Sequence, residues 1–244
     1  MNYLIIGANS ELAIRFVELN LSCTNNFYLI SANLSNLKRN YKNHINKYNQ
    51  NIKLYELNAI DHNFLEQLVK IYDVFKPSCI FIAMAKYFDK DDLSNTTTKI
   101  CNLYLVNLIV IVNFITFISN KYKNRKITFI LFGSIASSIG RNNNIFYSSA
   151  KRGLDSFIES FFLSNTNHNM YYYILGFMDV LKTKNKKIRF PHGSTMNLVK
   201  KITDDINDKR KSFICYYPMY WYFIVSLIKF LPIKFKLIFN KYNR

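Results

Sequence analysis

Apolar residues in this chain come in short unbroken runs separated by longer segments of helical spacing. The runs Met1 to Ile6, Phe27 to Ile30, Lys53 to Leu57, Cys79 to Ala83, Ile127 to Phe132, Met170 to Leu175 and Ser212 to Tyr216 have the length and continuity of strands buried on both faces. Between them the pattern predicts helices over Glu11 to Leu19, after Asp61, over Ile100 to Ser119, from Tyr147 towards Leu163, and from a Ser194 cap to Asn207. Asp61 is the expected N-cap of the helix that follows it. Alternation of strand and helix predicts an α/β fold built on a parallel sheet. At 244 residues the chain makes one domain with a core of ample size.

The segment Ile100 to Ser119 is long and free of acidic residues, which raises a membrane-spanning reading. Asn102, Asn107 and Asn113 within it, and its place between two strands, point instead to a helix buried against the sheet, with a second subunit as a further partner.

Two stretches carry chemistry. The first strand ends in Gly7-Ala8-Asn9-Ser10 and leads into a helix beginning Glu11-Leu12-Ala13. A strand, a glycine turn and a helix N-terminus present free backbone N–H groups and a positive dipole end to a pyrophosphate. The same pattern is also an ordinary strand–turn–helix, and Glu11 does not mimic glycine. The second stretch follows Ile127 to Phe132: Gly133-Ser134-Ile135-Ala136, a polar loop with Asn142, Asn143 and Asn144, then Tyr147-Ser148-Ser149-Ala150-Lys151 and Gly153. Tyr147 and Lys151 share a helix face. An ammonium beside a phenol favours phenolate and lowers the tyrosine pKa, which suits a proton donor near neutral pH. Ser134 offers a hydroxyl to a carbonyl oxygen. Tyr72/Lys76 and Tyr122/Lys126 repeat the spacing by compositional chance, without a serine at the end of a strand thirteen residues upstream.

Together these stretches resemble the short-chain dehydrogenase/reductase family in its shorter single-domain branch, over roughly residues 1 to 217. The resemblance implies a Rossmann-type, doubly wound parallel sheet and NAD or NADP as cofactor. It makes Ser134, Tyr147 and Lys151 catalytic, with Asn107 (Asn102 competing) as a fourth member that anchors a water. Residues 7 to 13 match the family's cofactor turn with two glycines replaced, at Glu11 and Ala13. The implied cofactor contacts are Gly7, Asn9, Ser10, Glu11 and Leu12, then Ser31 and Asn33 after the second strand. Further contacts are Asn58 and Ala59 after the third, Ala83, Met84 and Ala85 after the fourth, Tyr147 and Lys151, and Gly176 and Met178 after the sixth. Where the family chooses between a ribose hydroxyl and a 2′-phosphate, Ser31 and Ala32 are neither acidic nor basic; Lys38 and Arg39 read as a solvated helix face. The family's Asn-Ala-Gly stretch is replaced by Met84-Ala85-Lys86, and its Pro-Gly by Leu175-Gly176. Val180 follows, and Lys182, Lys184, Lys186, Lys187 and Arg189 fall where the family covers its substrate. They are either a basic lid for an anionic substrate such as a sugar phosphate or nucleotide sugar, or a solvated lysine run.

Charge and cysteine usage narrow the rest. The formal net charge is +18, but no nucleic-acid-binding motif accompanies it. Compositional bias and attraction to anionic lipid account for the charge. Cys23, Cys79, Cys101 and Cys215 are scattered, as are the four histidines, so no metal site is expected and a reducing cytoplasm fits. Met1 leads straight into a strand, without a signal peptide.

Residues 218 to 244 are expected to be an aromatic and basic amphipathic extension. Phe213 to Ile228 is uncharged, Pro218 and Pro232 interrupt the segment, and Lys229, Lys234 and Lys236 alternate with apolar residues up to Phe239. Such a segment suits a helix lying in lipid headgroups or an arm at a subunit interface; a spanning helix is the remaining alternative. A Tyr-Pro after the last strand and this tail resemble, more loosely, membrane-associated reductases of bacterial surface-polysaccharide and lipid-linked sugar pathways.

The expectation is therefore an NAD(P)-dependent oxidoreductase for a keto/hydroxy group of an activated or lipid-linked sugar. It is expected to be cytoplasmic, peripheral at the inner face of the membrane, and a homodimer or homotetramer. The alternatives are reduction of a lipid or acyl ketone, and a catalytically silent NAD(P)-binding partner protein.

Overall fold

A computed structural model describes residues 1–48, 50–88, 94–138, 144–164, 167–179 and 191–232. Asn142, Asn143, Val180, the basic run from Lys182 to Arg189, and the tail from residue 233 onward, including Lys234, Lys236 and Phe239, lie outside the described residues.

The apolar runs are strands: β1 (Asn2–Ile6), β2 (Asn26–Ser31), β3 (Ile52–Glu56), β4 (Cys79–Ile82), β5 (Thr128–Ser134), β6 (Asn169–Leu175) and β7 (Phe213–Tyr217). They form one parallel sheet in the order β3-β2-β1-β4-β5-β6-β7. The helices are α1 (Glu11–Asn20), α2 (Leu34–Tyr48), α3 (Phe64–Phe75), α4 (Thr97–Tyr104), α5 (Val110–Lys121), α6 (Ile145–Leu163), α7 (Thr195–Asn207) and α8 (Tyr220–Phe230).

Strand residues alternate between two cores, which explains why the strands read as continuous apolar runs. Tyr3, Ile5, Phe81, Ile130, Phe132, Tyr171 and Tyr173 face one way, against Phe16, Val17, Leu37, Tyr41, Leu198 and Ile202 of α1, α2 and α7. Leu4, Ile6, Ile80, Ile82, Phe129, Leu131 and Tyr172 face the other way, against residues of α3, α5, α6 and α8. The doubly wound sheet reverses its winding between β1 and β4, opening a crevice at their carboxyl ends where such folds take ligands.

The apolar segment expected over Ile100 to Ser119 runs from Thr97 to Lys121. It is long and apolar enough to cross a membrane by length and composition, yet Val110, Ile111, Phe114, Ile115 and Ile118 pack into the sheet's larger core. Its middle, Leu105–Ile109, widens into a π-turn, a feature that often marks functional positions. Asp61 does not cap α3. Asn63 occupies the N-cap, and Asp61 contributes only its backbone carbonyl to the Phe64 amide; the chain needs two more residues to turn before the helix starts. Ser194 does cap α7, its hydroxyl accepting from the Asn197 amide.

Residues 220 to 230, expected in an extension, form α8 and pack onto the domain. Trp221, Val225 and Ile228 are buried, Trp221 and Val225 within the larger core. A methyl group at Gly176 would lie 2.0 Å from the Trp221 indole nitrogen, so this contact requires a residue without Cβ.

Candidate active site

At the end of β1, Gly7 has φ +83°, and a Cβ there would sit 2.5 Å from the Met84 amide nitrogen. Only glycine lets the turn press against the end of β4. The amides of Gly7 and Ala8 bond to the Ile30 carbonyl, and the Ala83 amide to Ile6, so the crevice floor is stitched from three strands. Ser10 caps α1 by accepting from the Ala13 amide. Ile14 is the first intrahelical donor, to the Ser10 carbonyl, so the Leu12 amide lies in the first turn, whose donors look outside the helix for partners. Asn9 donates to Ser31 Oγ (2.6 Å) and the Asn33 carbonyl (3.0 Å), and accepts from Asn40 Nδ2 (3.0 Å). Asn9, Ser31 and Asn33 are thus one neutral polar cluster at the end of β2; Asn40, on α2, is a member that the sequence pattern did not single out. Lys38 and Arg39 are exposed. Asn58 turns its side-chain oxygen back on the Ile60 amide (3.4 Å), and Ala59 is half-buried behind it.

Ser134 is the last residue of β5, and its hydroxyl is hydrogen-bonded to that of Tyr147, near the start of α6. Both Tyr147 and Lys151 are buried, at 6% and 4% exposure. Lys151 Nζ donates to the Phe132 carbonyl at 2.9 Å. The Tyr147 hydroxyl has a further partner, Tyr87, at 3.0 Å, with the two rings 4.5 Å apart.

Burial pushes the Tyr147 phenol well above its ordinary value, reinforced by Tyr87. That reverses the expected direction. Desolvation of the phenolate dominates, while the Lys151 amine is tied to Phe132 and itself pushed down to about 8 by burial, against a smaller opposing pull from Asp155. Asp155, one turn beyond Lys151, was not anticipated. Its carboxylate accepts from Tyr172 at 2.5 Å and hydrogen-bonds Ser137, whose hydroxyl is 2.7 Å from the Ser134 carbonyl. Burial raises its pKa. The spacing of Tyr147, Lys151 and Asp155 on one helix face was the available signal.

Asn107, within the π-turn, is fully buried, whereas Asn102 is half-buried. The Asn107 amide clamps Lys86 from both sides, accepting from its N–H (3.2 Å) and donating to its carbonyl (2.9 Å), and also donates to Leu103 (2.9 Å). Those bonds commit the side chain to holding the segment after Met84 and Ala85 in place. On the far side, Gly176 bonds to the Tyr217 carbonyl. Met178 is buried and bridges to Gly193 through the peptide groups of Phe177 and Asp179 on either side of it. Asp179 accepts from the Thr195 amide at 2.6 Å, fixing the start of α7.

No protein-family model matches the sequence, and no curated protein matches it. Solved structures do. A short-chain dehydrogenase/reductase from Vibrio parahaemolyticus is 19% identical, with a TM-score of 0.64 over 83% of this chain and 91% of that one. The fold is that of the short-chain dehydrogenases/reductases. An alcohol dehydrogenase from the archaeon Thermococcus sibiricus, complexed with 5-hydroxy-NADP, gives a TM-score of 0.72 at 12% identity over 88% and 94%. A putative D-mannonate oxidoreductase from Haemophilus influenza with bound NAD gives 0.71 at 13% over 88% and 92%. In this short-chain dehydrogenase/reductase fold, the crevice between β1 and β4 and the Ser134–Tyr147–Lys151 face lie at one end of the sheet.

A nicotinamide dinucleotide fits the residues present. The Gly7 turn leaves no room for a side chain over the crevice floor, the α1 amides suit a pyrophosphate, and the Asn9 cluster suits ribose hydroxyls. Glu11 works against the fit, because its carboxylate stands at the helix start that would receive the phosphates. Glu11→Gln is expected to tighten NAD(P) binding several-fold, about 1 kcal/mol for a partly screened like-charge pair. Nicotinamide fluorescence titration checks this; unchanged affinity would mean that Glu11 points away from the phosphates.

Proposed function

We propose that this protein is an NAD(P)-dependent oxidoreductase that interconverts a ketone and an alcohol. The observation that carries this reading is the contact between the Ser134 and Tyr147 hydroxyls one helical turn from the buried Lys151 amine, beside a crevice suited to a dinucleotide. When bound, the nicotinamide supplies the hydride chemistry. Ser134 positions the substrate oxygen, Tyr147 holds the proton exchanged with that oxygen, and Lys151 places positive charge behind the phenol and towards the nicotinamide ribose. Gly7, Ser10 and Leu12 would line the pyrophosphate, Asn9, Ser31 and Asn33 the adenosine ribose, and Asn58 and Ala59 the adenine. Ala83, Met84, Ala85, Gly176 and Met178 would flank the nicotinamide half. The neutral Asn9 cluster is compatible with NAD and with NADP. The test is cofactor consumption by purified protein against panels of sugar-linked and acyl ketones; silence across both, with cofactor bound, would favour a non-catalytic binding protein.

The substrate we propose is a keto or hydroxy sugar in activated or lipid-linked form, in a bacterial surface-polysaccharide pathway. The protein would work at the inner, cytoplasmic face of the membrane. Helix α8 supports the membrane contact. Opposite its buried stripe, the helix and its N-cap expose Met219 (73%), Phe223 (65%), Leu227 (67%) and Phe230 (88%), three or four residues apart on one face, with Tyr222 (53%) beside Phe223. After Asp208 the sequence holds eight Lys or Arg and no Asp or Glu. Such a ridge amid positive charge matches an anionic bilayer, whereas a second copy would bring like charges together. The same ridge favours the second reading, reduction of a lipid or acyl ketone. Self-association is proposed at the outer face of α4–α5 instead, where Ile109 and Phe117 are exposed, giving a homodimer or homotetramer.

Phe223→Ser combined with Leu227→Ser is expected to cut binding to phosphatidylglycerol-containing vesicles at least tenfold, since each large apolar side chain contributes about 1.5–3 kcal/mol when fully buried. Flotation measures it. Binding that ignores lipid charge, or a change of oligomeric mass in place of lost flotation, would assign the ridge to another partner.

A further inference from the structure

Beside the reacting groups stands a carboxylate that the proton exchange itself does not use. Asp155 follows Tyr147 and Lys151 at four-residue intervals along α6, so the three side chains share one helix face. Two of them reach the same stretch of β5. Lys151 Nζ donates to the Phe132 carbonyl at 2.9 Å, and Asp155 Oδ1 lies at the next residue, 3.2 Å from where a Cβ on Gly133 would stand. The Tyr172 hydroxyl, which donates to Asp155 Oδ1 at 2.5 Å, would be 2.5 Å from that same Cβ. A side chain at position 133 would push this hydroxyl off Asp155, and glycine leaves it room. Ser137 also hydrogen-bonds the carboxylate. Its hydroxyl has one proton for two acceptors, this carboxylate and the Ser134 carbonyl, and a charged acceptor is the stronger.

We propose that Asp155 is a positioning residue acting through Lys151: its carboxylate is the counter-charge that holds the Lys151 ammonium behind Tyr147. This rests on the oxidoreductase reading above, in which that positive charge serves the proton exchange. The Phe132 carbonyl accepts from the amine whether it is charged or neutral, so it does not by itself select the ammonium. A carboxylate does. Charges packed side by side against a strand interact more strongly than a solvated surface pair. No bond forms or breaks at Asp155.

The electrostatics run the same way. Burial pulls the Lys151 amine down to about 8, and Asp155 opposes it. Burial in turn raises the carboxyl of the half-buried Asp155, while its bonds from Ser137 and Tyr172 and the Lys151 charge pull it down. The other groups facing Asp155 are Tyr147 and the exposed Glu159 of α6, Tyr172 of β6 and Tyr216 of β7. Lys151 is the one cation among these groups, so the attraction of the carboxylate falls on it.

The experiment compares full-length wild type, Asp155→Asn and Tyr172→Phe, each carrying 13Cε-labelled lysine, the Lys151 resonance being assigned through Lys151→Met. Asparagine keeps the shape and still accepts from Tyr172 but carries no charge. Tyr172→Phe keeps the charge and loses the hydrogen bond. Without cofactor, Lys151 is expected to titrate about one pH unit lower in Asp155→Asn than in wild type, and as in wild type in Tyr172→Phe. An unmoved titration in Asp155→Asn, or a lowered one in Tyr172→Phe, overturns the proposal; the second arm stands even where Asp155→Asn does not fold. In turnover, the alkaline limb of kcat/KM is expected to move down with the titration, a loss of about fivefold at pH 8 and less than about twofold at pH 6.5 for a shift of that size. A loss of equal size at every pH makes Asp155 a structural residue and overturns the proposal. Absence of turnover in wild type overturns the proposed function, and the titration still decides whether Asp155 holds the ammonium.

Discussion

Tyr147→Phe is expected to lower kcat by about a thousandfold while leaving the affinity for the nicotinamide cofactor within twofold. Positioned acid–base groups contribute about 10²–10⁴ in rate, and the substitution removes one oxygen and no packing surface. The ring sits with Leu103, Ala136 and Ala150 in a small apolar cluster, which phenylalanine fills equally. Because burial and Tyr87 hold the Tyr147 phenol protonated well beyond neutral pH, the free protein presents a proton donor and must stabilise the phenolate only during reaction. Single-turnover kinetics with cofactor titration on the same sample checks both halves. Turnover within threefold of wild type would remove Tyr147 from the chemistry.

Lys151→Met is expected to abolish turnover and, at pH 7, to raise stability. The amine is buried and its pKa lies near 8 against an ordinary 10.5. Below pH 8 the amine is charged in both folded and unfolded chains, and the folded state bears the full burial cost, about 3 kcal/mol from 1.36 kcal/mol per pKa unit. Methionine removes that cost but leaves the Phe132 carbonyl without its donor, a loss of about 1–3 kcal/mol. The net expectation at pH 7 is a gain of roughly 1 kcal/mol. Between about pH 8 and 10.5 the unfolded wild type binds more protons than the folded one, so wild-type stability rises through this window. The advantage of the variant should shrink and then reverse by pH 10.5. Urea unfolding of both proteins across that range measures the difference, and a constant difference would show that Lys151 does not titrate as described. A stabilising change that destroys activity is the expected mark of a functional burial.

The sheet was legible because its inner strands, β1, β2, β4, β5 and β6, are buried on both faces and so read as apolar runs. Ser134, Tyr147 and Lys151 were legible because β5 and α6 are adjacent in sequence, so their spacing survives as a linear pattern. What could not be read depended on distant contacts. Tyr87 meets Tyr147 across sixty residues, and nothing in the local pattern around Met84 announces it. The lowering of the Tyr147 pKa by Lys151 assumed a solvated pair; depth reversed it. Asn102 competed with the preferred Asn107 on paper, and the π-turn at Leu105–Ile109 separates them by turning Asn107 inward onto Lys86. Asp61 had the chemistry of a cap but sits two residues too early. Helix α8 was legible as apolar and aromatic, but its two-sidedness, one stripe locked onto the sheet and one bare, needed the fold.

The indole of Trp221 occupies the space that a methyl group on residue 176 would need, so the exposed apolar ridge of α8 and the end of β6 are one rigid piece. Shortening the chain at residue 217 to obtain a better-behaved sample would therefore strip the side chain that packs on Gly176 and part of the core along with the greasy surface. Inactivity of such a fragment would report a dismantled core, and detergent or lipid nanodiscs around the intact chain are the sounder preparation.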